Sequence, residues 1–166
     1  MKKQKFAILI AVATLLSVLS CNKETTTNLD DLVGTYVGTI YYSSYFSSND
    51  SIENSGTEDD FFIKIETTNK SGMDLKLSYI FAVDTTVFYL NNVIKDGGEY
   101  YFNFPQQLNE EGSLARGNKC YTINGTQYDG RYVTSGKELR FCTKYDIDTP
   151  TPGVYYGITN EVYTKQ

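Results

Sequence analysis

The sequence predicts an all-β fold, an antiparallel meander of about eight strands closed into a barrel, with a β-sandwich as the alternative. Three observations lead there. Tyr (15) and Phe (9) are abundant while Trp and His are absent, a bias toward side chains that suit strands. Short runs alternating apolar and polar residues recur along the chain, separated by Gly, Asn, Asp and Ser. The folded part carries no helical period of useful length.

The N-terminal segment has a different physical task. Lys2, Lys3 and Lys5 precede an uncharged stretch from Phe6 to Leu19, long enough to enter a translocon and short for spanning a bilayer. It closes on Leu16-Ser17-Val18-Leu19-Ser20-Cys21. This resembles the bacterial lipobox, with an aliphatic residue at −3, a small one at −1 and cysteine at +1, although Leu19 at −2 is bulkier than usual. The resemblance implies that residues 1–20 are a cleaved signal peptide and that Cys21 carries the lipid; a non-lipidated secreted protein is the alternative. Acyl chains contribute about 0.8 kcal/mol per buried methylene, so two or three of them hold a protein on a bilayer nearly permanently. Asn22, in place of the aspartate that retains enteric lipoproteins in the inner membrane, points to the outer membrane. Lys23-Glu24 partly resembles the surface-export signal of Bacteroidota lipoproteins, so either face of the outer membrane stays open.

Residues 21–28 read as a lipidated, threonine-rich flexible tether and 29–166 as the domain. Leu29-Asp30-Asp31-Leu32 looks like one helical turn capped by Asn28. Gly34-Thr35-Tyr36 then opens a long strand toward Phe46, with Tyr36, Ile40 and Tyr42 on one face. Residues 47–60 are expected to form an acidic loop. Phe61, Ile63 and Ile65 alternate with Lys64 and Glu66 in a second strand to Thr67, and Asn69 to Gly72 turns the chain. A third strand points Leu75, Leu77, Tyr79 and Phe81 inward, and a fourth begins at Asp84-Thr85. Asp96-Gly97-Gly98 signals a hairpin. Tyr100, Phe102 and Phe104 alternate in the fifth strand, which Pro105 ends. Residues 106–118 read as a polar connection. Strands are expected over 121–128, 130–134, 138–145 and 154–163, with turns at Asp129-Gly130 and Ser135-Gly136.

A helical turn followed by Gly34-Thr35-Tyr36 entering the first strand of such a barrel resembles the lipocalin or calycin arrangement, in which Gly-x-Trp sits at the barrel base. Here Tyr36 stands where that motif has Trp. The resemblance implies a basic residue from the last strand over that ring, a place for Lys165 or Arg140, and a small apolar ligand in the interior.

Charge narrows the partners. Fifteen basic residues less the three leader lysines leave 12 against 20 acidic ones, a formal charge of −8 for the mature chain. Such a surface disfavours nucleic acid. Without histidine the usual general base and metal ligand is missing, so neither an enzyme nor a bound metal or cofactor is expected. Asp59-Asp60 and Asp129 read as solvated loop and turn residues. Asp146-Ile147-Asp148 has calcium-like spacing but lacks the further ligands and glycine of a calcium loop.

Cys120 and Cys142 form an even pair suited to a disulfide in an oxidising compartment. A strand over 130–134 lying between theirs would hold them too far apart, leaving two unpaired cysteines as the alternative. Asp50-Ser51-Ile52 and Asp84-Thr85-Thr86 resemble the O-glycosylation tripeptides of Bacteroidota, with Ser51 the better acceptor. Tyr41-Tyr42, Tyr100-Tyr101 and Tyr155-Tyr156 each force one ring outward, as cross-strand pairs or as a binding platform. Two functions follow as expectations. One is a lipid-anchored barrel binding a small apolar or amphipathic ligand. The other is a surface interaction module contacting glycans or envelope proteins.

Overall fold

The computed structural model describes residues 27–46, 48–80, 85–108, 114–147 and 155–166; Cys21 and the leader fall outside them. The strands are β1 (Gly34–Phe46), β2 (Ile52–Thr67), β3 (Leu75–Ile80), β4 (Thr85–Asp96), β5 (Glu99–Asn103), β6 (Gln107–Leu108), β7 (Leu114–Gly117), β8 (Tyr121–Ile123), β9 (Thr126–Tyr128), β10 (Gly130–Val133), β11 (Glu138–Ile147) and β12 (Tyr155–Lys165). Every pairing is antiparallel. β1 to β5 follow one another, β10 continues from β5, and β11 and β12 lead back to β1, so eight strands close a hydrogen-bonded ring. The expected all-β meander is present, with β6 to β9 inserted between its fifth and sixth strands.

Period-two alternation decides what fills the ring. Tyr36, Ile63, Ile65, Leu75, Leu77, Leu90, Tyr100, Phe102, Leu139, Phe141 and Tyr163 are 0–1% exposed and converge on the interior. Each burial of this kind contributes about 1.5–3 kcal/mol. Neighbouring rings meet edge to face or tilted, as Tyr36 on Tyr132 (6.1 Å) and Phe104 on Phe141 (5.1 Å) do, while Phe141 and Tyr163 stack at 5.6 Å. Gly38 is required where β1 passes β12, because a Cβ there would run into the Val162 carbonyl and the Tyr163 ring.

One end of the ring is plugged by the turn at 29–32. Asn28 caps it through Oδ1 to the Asp30 amide (2.9 Å), and Leu32 closes it on the Leu29 carbonyl (2.9 Å). Leu32 is wholly buried, and its carbonyl accepts from the Tyr36 hydroxyl at 2.6 Å.

The inserted segment corrects several expectations. Residues 106–118 are no plain connection, because β6 and β7 pair with each other and β7 pairs with β11. Residues 121–128 form the β8–β9 hairpin around Asn124 (φ 48°) and Gly125 (φ 80°), an Asn-Gly turn of the hairpin kind, and not one strand. The 47–60 loop shrinks to its first residues, since β2 starts at Ile52. A backbone ladder needs no apolar side chain, and the far half of β1 pairs with these polar residues as it does with apolar ones.

Candidate functional site

β11 changes neighbours halfway along. Residues 138–141 pair with β10, and 143–145 pair with β7. Cys142 stands at the changeover, its amide donating to the Asp129 carbonyl (2.9 Å) and its carbonyl accepting from Asn118 (3.0 Å). Cys120, just beyond β7, is brought to it and the two are bridged, their Cα atoms 6.2 Å apart. The expected obstacle, an intervening strand over 130–134, is absent at this height because β10 pairs with β11 only up to Phe141.

Asp129 is corrected too. It is 0% exposed, and its Oδ2 accepts the Phe104 amide at 2.8 Å while Oδ1 faces Lys119 Nζ at 2.9 Å. It ties the end of β5 to the inserted segment and is neither solvated nor part of a tight turn. Gly130 follows it because the Phe102 ring occupies the place of a Cβ. On the open side β4 loses β5 beyond Asn91, and the Gln107 amide replaces the missing strand by bonding the Tyr89 amide (3.0 Å) and carbonyl (3.4 Å).

The chemically distinctive site lies inside the ring at this same changeover. Glu161 of β12 is 3% exposed and projects inward on the face shared by Thr159 and Tyr163. Its Oε2 accepts from Tyr79 (2.7 Å) and Tyr163 (2.8 Å), and its Oε1 is 2.7 Å from Thr159. Thr159 in turn bonds Thr143 across β11 at 2.7 Å. Burial raises the carboxyl group above its ordinary range, partly offset by the three hydroxyls. Burial pushes the Tyr79 and Tyr163 hydroxyls above the ordinary phenol value. The cluster is satisfied in both protonation states. Ionised, Glu161 accepts from all three hydroxyls; protonated, Oε1 donates to the Thr159 hydroxyl, which then donates its own hydrogen bond to Thr143. No cation faces it among these contacts, so burial within an otherwise apolar interior favours the protonated form.

At the closed end, Gly34 and Tyr36 lie beside β12. Lys165 pairs with Tyr36, its stem runs where a Gly34 Cβ would sit, and its Nζ donates to the Asp31 carbonyl at 2.7 Å. Arg140 points outward and bonds Glu138 at 2.8 Å. The Tyr100 hydroxyl (2.7 Å) and then Lys95 (3.2 Å) hold the Asp31 carboxylate below its usual range.

Tyr41 is 48% exposed, whereas Tyr45, Tyr101 and Tyr156 are engaged with their neighbours. Tyr45 stacks on Tyr156 at 5.0 Å across β1 and β12, with Lys144 Nζ 3.9 Å above the Tyr156 ring. Tyr101 faces outward yet is only 9% exposed, because Tyr128 of the hairpin covers it at 5.6 Å. Among the described residues the exposed large apolar side chains are Tyr41 (48%), Ile52 (60%), Phe62 (46%), Ile80 (44%), Ile94 (37%) and Leu108 (66%), of which Phe62 and Ile80 are directly paired on β2 and β3. Ser51 is exposed at the tip joining β1 to β2, its hydroxyl bonded to Asn49 at 2.7 Å. Asp59 accepts from Thr39 at 2.6 Å in an outer recess of about 430 Å³ shared with Asp60, on strand β2 instead of a loop. Phe81, Asp84 and Asp148 lie outside the described residues. Among the described residues no three Cys, Asp or Glu side chains are grouped to hold a metal ion.

Sequence reasoning missed Glu161, Asp129 and Gln107 as structural centres. Glu161 had a signal, since two-residue steps back from the inward Tyr163 pass through Glu161 and Thr159. No protein-family model matches the chain, and comparisons with curated proteins and with solved structures find no match.

Proposed function

We propose that the chain is a lipid-anchored, non-enzymatic interaction module of the cell envelope, working through its outer surface. The observation that supports this is the filled ring. From Leu32 to the Glu161 layer the interior is occupied by side chains, whereas a carrier of small apolar molecules needs an enclosed volume of about 300 Å³ or more. The exposed Phe62–Ile80 pair is the apolar surface a partner would cover. Acylation of Cys21, at the outer membrane, rests on the lipobox resemblance.

A second reading keeps a small amphipathic ligand at the open end of the ring. Tyr42 and Tyr145 are inward yet only half-buried there, packed over Gly56 and Gly157.

Site-specific photo-crosslinking in the source cells separates the two. The full chain carries the crosslinker at position 62 or 80, with position 97 at the closed end as control. Discrete protein adducts from 62 and 80, and none from 97, support the module. Absence of adducts at 62 and 80, together with a retained small molecule, overturns it.

A further inference from the structure

We infer that the closed end of the ring faces the bilayer and the open end faces away, an orientation that rests on the proposed acylation of Cys21. Asn28 fixes the point where the tether leaves the domain. Its side chain caps the turn at 2.9 Å and its carbonyl accepts from the Tyr100 hydroxyl at 3.0 Å, so it is pinned to the closed rim. The seven steps from Cys21 to Asn28 reach at most about 25 Å when fully extended, at roughly 3.5 Å each.

The domain is longer than that. β1 has 13 residues and runs from the closed end to the open one. At about 3.3 Å per residue and a tilt of about 40°, it spans roughly 33 Å along the ring axis. An inverted domain would therefore outrun its own tether.

The test is an amine-labelling footprint of the full acylated chain, in detergent and in vesicles of phosphatidylethanolamine and phosphatidylglycerol. Vesicles should abolish labelling of Lys70 and Lys137 and leave Lys144 and Lys119 as they are in detergent. Equal labelling at all four, or loss at Lys144, in protein that floats with the vesicles and carries the acyl mass, overturns the orientation alone. A chain that lacks the acyl mass and does not float removes the acylation reading, and the orientation falls with it.

Discussion

Tyr79 and Glu161 lie 82 residues apart in sequence, on β3 and β12, and are joined by a 2.7 Å hydrogen bond through the middle of the ring. Burial raises the Glu161 carboxyl, so the folded chain holds this proton at pH values where the unfolded chain has released it. The consequence has a definite sign. Glu161 contributes a stability that is complete below the unfolded carboxylate value of about 4.3 and declines as pH rises toward the folded value. Chemical denaturation between pH 4.5 and pH 8 should show that decline, and Glu161→Gln should flatten it, because the amide still accepts from both tyrosines and donates to Thr159. An unchanged slope in the variant would assign the dependence to other groups.

Asp31 acts in the opposite sense. Its carboxylate is held low by Tyr100 and Lys95, so what it contributes is present at neutral pH and is lost on acidification through the folded value. Tyr100→Phe removes the first of these contacts and should make the closed end open more readily at neutral pH, read as faster amide exchange at Leu32.

The disulfide closes a sequence separation of 22 residues, a loop that holds β8, β9, β10 and the first half of β11. A loop of that size corresponds to about 3 kcal/mol of stabilisation. Reduction, or Cys120→Ser with Cys142→Ser, should lower the denaturation midpoint accordingly and steepen the slope, because the unfolded chain exposes more surface once the cross-link is gone. Intact mass under non-reducing conditions checks that the bridge is formed.

Much of the ring is legible in the sequence because its inward faces are apolar. Phe61, Ile63 and Ile65, then Leu75, Leu77 and Tyr79, announce strands and faces together, and Gly34 followed by Tyr36 marks the entry to β1. Legibility fails where polar residues take roles usually filled by apolar ones. The outer half of β2 is polar because both its faces meet water, so it resembles a loop. Gln107 substitutes for a strand with its side chain, which no backbone pattern reveals. Asp129 precedes a glycine and looks like a turn, although the glycine is there for the Phe102 ring. Glu161 is hidden for the same reason, a carboxyl at a core position.

Two glycines of the ring should differ sharply on substitution. Gly38→Ala places a methyl group against the Val162 carbonyl and the Tyr163 ring, neither of which can withdraw cheaply, and should cost about 1–3 kcal/mol. Gly98→Ala meets nothing within 4 Å and should leave stability within about 0.5 kcal/mol. Thermal denaturation of the two variants side by side makes the comparison.

Leu32 is the plug's contribution to the core. Leu32→Ala removes a wholly buried side chain from the closed end and should cost about 2–5 kcal/mol, depending on how far the turn collapses into the space. Urea titration gives the value.

The proposed role rests on an interior filled from Leu32 to the Glu161 layer, which leaves the outer surface to meet a partner. Native mass spectrometry of the full chain, extracted in detergent from the membranes of its source, tests this most directly. Ions are expected at the mass of a chain beginning at acylated Cys21, with no additional small molecule retained. A stoichiometric small molecule of defined mass that survives desolvation would contradict it.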